Sequence, residues 1–119
     1  MAKILIIEDN PNNMKLAQLL LETSGHDVLQ AVNAVDGISI AHSHAPEMIL
    51  MDIQLPGMDG LTAARLLKQD ANTSHIKIIA LTAFAMKGDE EKMRQAGCDG
   101  YIAKPIRYKE FLQKINALL

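Results

Sequence analysis

Short apolar runs alternate five times with longer helical patterns along this chain of 119 residues. The strand-like runs cover residues 3–7, 28–31, 48–51, 76–81 and 101–103, and the helical patterns cover residues 11–24, 36–44, 61–69, 86–95 and 106–119. Such alternation is typical of a parallel sheet whose strands are joined by helices on both faces. The sequence therefore predicts an α/β fold with three layers, a doubly wound (βα)5 arrangement around a five-stranded parallel sheet.

The size and composition of the chain predict one domain, residues 1–119. Hydrophobic residues make up 49% of the chain, which suffices for one buried core. The formal charge of -2 provides no basic field for a polyanion, so direct nucleic-acid binding is not expected. No apolar run approaches the roughly 20 residues of a membrane helix, so we expect no membrane insertion. The single cysteine and the absence of a signal segment after Met1 predict a cytoplasmic protein.

Polar residues follow four of the five strand-like runs. They are Glu8 and Asp9 after the first run, Asp52 after the third, Thr82 after the fourth and Lys104 after the fifth. The carboxyl ends of parallel strands meet at one edge of a sheet, where ligands bind in this class of fold. Two carboxylates roughly 4 Å apart repel by about 4 kcal/mol at an effective dielectric of about 20. The cluster therefore predicts a site for a hard divalent cation with oxygen ligands.

These residue types suit the transfer of a phosphoryl group to a carboxylate. Asp52 is the predicted nucleophile, which forms a mixed carboxylic-phosphoric anhydride. The predicted cofactor is Mg²⁺, with Mn²⁺ as an alternative ion, bound by Asp9 and Asp52 and, through water, by Glu8. The Lys104 ammonium and the Thr82 hydroxyl would each contact a phosphoryl oxygen.

Each of these residues has a structural interpretation when it is taken alone. Asp9 could cap the following helix, and Asp52 could belong to a turn before Pro56. Thr82 could simply end a strand, and Lys104 could be a solvated surface lysine. Only their recurrence at successive strand ends favours a shared site.

Other chemically distinctive residues are predicted to be structural. The four histidines are interpreted as surface residues, and Cys98 has no basic neighbour in sequence that would lower its pKa. Five methionines are interpreted mostly as core residues: Met14, Met48, Met51, Met86 and Met93. For Met86 and Met93, one heptad apart, a docking surface stays open as an alternative.

The sequence resembles the receiver domain of bacterial two-component response regulators over its whole length. It is most similar to members that have no attached output domain and that regulate cell division. The matching segments are Glu-Asp-Asn at 8–10, Leu-Met-Asp at 50–52, Leu-Pro-Gly-Met-Asp-Gly at 55–60, Leu-Thr-Ala at 81–83 and Tyr-Ile-Ala-Lys-Pro at 101–105.

The resemblance implies a flavodoxin-like strand order of 2-1-3-4-5. It also implies that the Gln54 backbone carbonyl completes the metal site and that Thr82 and Tyr101 form a switch pair. The Lys104-Pro105 bond is expected to be cis. When Thr82 moves toward the phosphoryl group, Tyr101 turns inward and changes the surface of the fourth and fifth strands and their helices.

The partners implied by the resemblance are signalling proteins. The phosphoryl donor would be a sensor histidine kinase or a histidine phosphotransfer protein, docked near residues 10–13. The output partner would be a downstream regulatory protein, another kinase among the candidates, docked around Met86, Glu90, Tyr101 and Tyr108. We expect the protein to act in the bacterial cytoplasm, with recruitment to membrane-bound kinases or to cell poles as a further expectation.

Two other classes of protein fit the sequence less well. A phosphatase of the haloacid dehalogenase type would need an acid two residues after Asp52, where this chain has Gln54. A flavodoxin-like cofactor carrier would bind phosphate after the first strand, where Glu8 and Asp9 would repel it. We therefore expect no enzyme beyond assistance to its own phosphorylation and dephosphorylation.

Overall fold

The computed structural model of the protein describes residues 2–83 and 87–119. Its strands are β1 (Lys3–Ile7), β2 (Asp27–Ala31), β3 (Met48–Asp52), β4 (Lys77–Thr82) and β5 (Gly100–Ala103). Its helices are α1 (Pro11–Thr23), α2 (Ala34–His44), α3 (Gly60–Gln69), α4 (Lys87–Gln95) and α5 (Tyr108–Leu118). The alternation predicted from the sequence is confirmed.

The five strands form one parallel sheet in the order β2-β1-β3-β4-β5. The order expected from the resemblance is therefore confirmed, and β2 and β5 are the edge strands. In the centre of the sheet, Ile7 pairs with Met51 and Asp52 pairs with Leu81. This register brings the carboxyl ends of β1, β3 and β4 together.

Each face of the sheet is covered by its own apolar core. Helices α1 and α5 pack on one face through Met14, Ala17, Leu21, Phe111 and Ile115. Helices α2 and α3 cover the other face, together with Ala96 just after α4. All of β3 and residues 4–7 of β1 are buried, as expected for strands that are covered on both faces.

Local signals in the sequence set the ends of several helices. The Asn10 side chain accepts hydrogen bonds from the backbone of Asn12 and Asn13 and so caps the start of α1. Asp59 caps α3 in the same way through Thr62. After α4 the chain reverses at Gly97, whose φ of 98° suits a residue without a side chain.

Several boundaries differ from those predicted. Asp52 and Thr82 belong to β3 and β4, because both still pair with the next strand. The last helix begins at Tyr108, two residues later than predicted, since Arg107 before it has an extended backbone. Met86, the predicted start of the fourth helix, lies outside the described residues.

Gly60 allows α3 to start directly against the backbone of β3. A Cβ atom at this position would lie 2.3 Å from the backbone oxygen of Asp52 and 2.9 Å from the Cα of Ile53. The Gly60 N–H also donates to the Ile53 carbonyl at 3.0 Å, which closes the loop between β3 and α3. The backbone around Asp52 is thus fixed by close packing of the chain.

No helix among residues 2–83 and 87–119 is long and apolar enough to cross a membrane.

Candidate functional site

Three carboxylates meet at the carboxyl edge of the sheet, where β1 and β3 lie side by side. One oxygen from each of Glu8, Asp9 and Asp52 lies within 4.8 Å of the other two. Glu8 is 1% exposed and Asp52 is 5% exposed, whereas Asp9 is open to solvent. The convergence predicted from the strand ends is therefore present in the structure.

Lys104 joins this group from the end of β5. Its ammonium donates to Glu8 Oε1 at 2.9 Å and to Asp52 Oδ2 at 3.0 Å. Its own backbone N–H donates to the Thr82 carbonyl at 2.7 Å, which ties the loop after β5 to the end of β4. The lysine that was predicted to contact a phosphoryl oxygen thus lies beside the predicted phosphoacceptor.

Burial and hydrogen bonding shift the pKa values of two of these groups. Burial raises the pKa of Glu8, and the hydrogen bond with Asp52 raises it further. Burial alone would lower the pKa of Lys104, but its hydrogen bonds to Glu8 and Asp52 outweigh burial and raise it. Lys104 therefore keeps its charge, while Glu8 binds a proton more readily than an ordinary glutamate.

Backbone amides hold two of the carboxylates in place. The Asn10 N–H donates to Glu8 Oε2 at 3.2 Å, and the Gln54 N–H donates to Asp52 Oδ1 at 2.9 Å. The second bond keeps the loop after β3 folded against Asp52. The contribution of the Gln54 carbonyl to a metal site stays a prediction.

The donor set fits a hard divalent cation. With all groups ionised, three carboxylates and one ammonium sum to a charge of -2, concentrated in a largely buried group. Carboxylate oxygens are the ligands that Mg²⁺ prefers, and exposed Asp9 leaves a side open to the water that Mg²⁺ usually keeps. Glu8, Asp9 and Asp52 are therefore suitable residues to hold Mg²⁺.

Thr82 and Tyr101 lie on the neighbouring strands, at different depths. Thr82 is 3% exposed and lines a small cleft with Ile53 and Gln54. Tyr101 is partly exposed, and its hydroxyl donates to the carboxylate of Glu90 on α4. That hydrogen bond is the main cause that raises the pKa of Tyr101.

Lys114 is a contact of Tyr101 that sequence reasoning missed. Its ammonium lies 4.5 Å from the centre of the Tyr101 ring and donates to the Tyr101 carbonyl at 2.7 Å. The hydropathy pattern does not predict such a contact, because charged residues such as Lys114 and Glu90 are expected to be solvated on a helix surface.

The remaining predicted residues lie away from the carboxylates or have structural roles. The Lys104-Pro105 bond is cis, the isomer that the resemblance implied. His42, His44 and His75 are exposed, and His42 pairs with Asp70 at 3.3 Å. His26 is partly buried and accepts a hydrogen bond from the Ala2 N–H.

Cys98 has a basic residue near it in space that the sequence did not reveal. Lys68 lies close enough to lower the pKa of this thiol, but burial and the nearby Asp99 raise it further, to about 11. The structural role predicted for Cys98 agrees with a thiol that resists ionisation.

Comparison with known proteins places the chain among receiver domains. Residues 4–116 match the family model described as the response regulator receiver domain. The polar-differentiation response regulator DivK of Brucella anthropi is 47% identical over 116 residues, which cover 98% of this chain and 94% of that protein.

Solved structures agree with this result. The receiver domain of a sensor histidine kinase from Pseudomonas aeruginosa, with a magnesium ion coordinated in its active site cleft, is 34% identical with a TM-score of 0.91, covering 98% of this chain and 96% of that one. The chemotaxis protein CheY4 of Vibrio cholerae has a TM-score of 0.95 at 20% identity, covering 100% and 99% of the two chains, and shows the shared fold.

Proposed function

This chain belongs to the response regulator receiver domain family, a family of signalling phosphoacceptors, and we propose that it accepts a phosphoryl group on Asp52 within a phosphorelay. The observation that carries the proposal is the contact of Lys104 with Asp52 beside Glu8 and Asp9. We assign the whole chain, residues 1–119, to one such domain.

The proposed donor is a phosphohistidine on a sensor histidine kinase or a histidine phosphotransfer protein. An Asp52 carboxylate oxygen attacks phosphorus, and the P–N bond breaks with its electron pair staying on the imidazole nitrogen, which then takes a proton. The product on this chain is an acyl phosphate. Because Lys104 already lies 3.0 Å from Asp52, its ammonium is positioned to contact the incoming phosphoryl group.

The proposed metal ligands are Glu8, Asp9, Asp52 and the Gln54 carbonyl. When bound, Mg²⁺, or Mn²⁺ in its place, supplies positive charge that offsets the charge developing on the phosphoryl oxygens. The magnesium ion in the related kinase receiver domain supports this choice. Glu8 and Asp52 are buried and hydrogen-bonded, so this chain presents their oxygens in fixed positions.

Thr82 and Tyr101 are the proposed switch residues. The Thr82 hydroxyl would donate to a phosphoryl oxygen, and Tyr101 would turn inward as Thr82 moves. The changed surface of β4, α4, β5 and α5 would then bind a downstream regulatory protein, with another kinase as one candidate. We propose cytoplasmic action, with recruitment to membrane-bound kinases or cell poles, which the name of the polar-differentiation relatives supports.

The decisive experiment is labelling by acetyl phosphate. Whole protein is incubated with acetyl phosphate and Mg²⁺, and the attached phosphoryl group is measured by mass spectrometry of the intact chain. We expect labelling of the wild type and none of Asp52→Asn. Asp27→Asn is the matched control, since Asp27 is an exposed aspartate at the opposite end of the sheet.

The outcome that contradicts the proposal is undiminished labelling of Asp52→Asn. Sustained turnover of phosphate esters by the wild type would instead favour a phosphatase.

A further inference from the structure

Tyr101 is held by two charged side chains that come from opposite faces of the sheet. Its hydroxyl donates to Glu90 on α4, and its ring lies under the Lys114 ammonium from α5. Ile102 belongs to the core beneath α1 and α5, so the alternation of side chains along β5 directs Tyr101 toward the α4 face. Lys114 must therefore reach around the edge strand to cover the ring.

The Lys114 ammonium is itself anchored to the strand. It donates to the Tyr101 carbonyl at 2.7 Å, a bond to backbone that does not depend on where the ring lies. The cation consequently stays at the edge of β5 when the side chain of Tyr101 rotates. Movement of the ring away from this position loses the cation–π contact, while the hydrogen bond to the carbonyl stays.

Tyr101 also lines two clefts. A cleft of about 350 Å³ on the α4 side is lined by Tyr101, Glu90 and Met93, among others. A second cleft of about 260 Å³ on the α5 side is lined by Tyr101, Lys114 and Leu118, among others. Tyr101 is therefore only partly enclosed, and its contacts with Glu90 and Lys114 add to the packing that holds its ring.

We propose that Glu90 and Lys114 are positioning residues that form a clamp on Tyr101, and that they oppose its inward turn and so set how readily the protein switches. The effect of the clamp on signalling rests on the proposed function, because the switch is the response to the phosphoryl group at Asp52. The clamp itself is a set of contacts among α4, β5 and α5 and is measurable without any ligand.

The clamp should lower the apparent affinity for an activating ligand. When a ligand binds only the switched conformer, its apparent affinity is its intrinsic affinity multiplied by the fraction of molecules in that conformer. Removing one half of the clamp raises that fraction. We expect the half-saturating concentration of beryllofluoride, added with Mg²⁺, to fall roughly three- to tenfold in Lys114→Met and in Glu90→Ala.

The test follows the aromatic NMR signals of labelled tyrosine in the whole chain, which contains two tyrosines. Tyr108→Phe assigns the Tyr101 signal. Without ligand, the Tyr101 signal of Lys114→Met and Glu90→Ala should move toward its position in the beryllofluoride-bound wild type. Lys114→Arg should resemble the wild type, since a guanidinium keeps the cation and the donors. Lys109→Met is the matched control, because Lys109 is exposed on the same helix.

Two different failures can be told apart. If Tyr101 of the wild type responds to beryllofluoride, but Lys114→Met and Glu90→Ala change neither its signal nor the half-saturation, the clamp is refuted and the proposed function stands. If the backbone amide of Gln54 beside Asp52 does not respond to beryllofluoride in the wild type, the proposed function fails. In that case the clamp is still tested by the Tyr101 signal without ligand: a signal that differs from the wild type in the two variants supports the clamp, and an unchanged signal refutes it.

Discussion

Lys104 is the residue on which the resting state of the site depends, because it neutralises part of a buried acidic cluster. Its ammonium bonds Glu8 and Asp52, which are 1% and 5% exposed. Removing one partner of a buried ion pair leaves the other charges uncompensated, which costs far more than the intact pair contributes.

We predict that Lys104→Met lowers the free energy of unfolding by about 2 kcal/mol in the absence of divalent ions. Saturating Mg²⁺ should restore much of the loss, because the ion offsets the same carboxylates. Urea unfolding with and without Mg²⁺ measures both effects. An equal loss under the two conditions would show that Lys104 and the ion act on different groups.

Cys98, which lies just before β5 at the edge of the sheet opposite the carboxylates, gives the stability of the fold a pH dependence that can be measured. Burial first, and Asp99 second, raise the pKa of its thiol to about 11. The unfolded chain loses this proton at lower pH than the folded chain, so the folded state binds more protons between those two pKa values. This thiol therefore lowers stability as the pH rises from about 9 toward 11, and contributes no change below that range.

We predict that the free energy of unfolding of the wild type falls more steeply over this pH range than that of Cys98→Ala. Thiol labelling at neutral pH should also be much slower in the folded protein than in urea. If the free energy of unfolding falls with pH equally steeply in the two proteins, the pKa of Cys98 is not raised by folding.

At the scale of the elements, the start of α3 is fixed by the absence of a side chain at Gly60. The atoms that a Cβ would meet there are backbone atoms of Asp52 and Ile53, which cannot rotate away. Gly88 in α4 offers the contrast, because nothing lies within 4 Å of the corresponding Cβ position.

We predict that Gly60→Ala lowers the free energy of unfolding by about 2 kcal/mol and slows labelling by acetyl phosphate, since Asp52 must shift. Gly88→Ala should raise stability by about 0.5 kcal/mol through helix propensity and leave labelling unchanged. Thermal unfolding measures the stability of the two variants, and mass spectrometry of the intact chain measures their labelling. If Gly60→Ala is destabilised but is labelled at the wild-type rate, the contact of Gly60 with β3 does not control the position of Asp52.

The elements were largely predictable from sequence, and their ends less so. The buried runs of β1 and β3 are continuous in apolar residues, so hydropathy locates them directly. It ends both β3 and β4 one residue early, because Asp52 and Thr82 are polar residues that continue the pairing of buried strands. Strand pairing decides these ends, and pairing partners are distant in sequence.

The convergence of Glu8, Asp9 and Asp52 was predictable because it follows from strand order and direction alone. The contacts of side chains on helices were not. Glu90 and Lys114 reach Tyr101 across 11 and 13 residues of chain, and their polarity fits a solvated surface equally well. Lys104 was expected near the carboxylates and lies beside them, but its double pairing with Glu8 and Asp52 was not foreseen.

At the scale of the whole molecule, binding of Mg²⁺ should be visible as stability. The unfolded chain does not bring Glu8, Asp9 and Asp52 together, since Asp52 is far from the other two in sequence. An ion that binds only the folded state raises the free energy of unfolding by about 2.7 kcal/mol at 100 times its dissociation constant.

We predict that the urea midpoint of the wild type rises with Mg²⁺ concentration and that Asp9→Asn loses most of this rise. Asp27→Asn serves again as the control at the other end of the sheet. A rise that is undiminished in Asp9→Asn would place the ion elsewhere.

The position of β5 at the edge of the sheet has a consequence for how such a protein diversifies. The proposed metal ligands lie at the carboxyl ends of β1 and β3, interior strands with two neighbours each, whereas Tyr101 belongs to a strand with a single neighbour. If the output partner binds along β5 as proposed, substitutions on this edge strand would change which protein is recognised without disturbing the carboxylates. Related proteins could thus evolve different output partners and keep the same carboxylate chemistry.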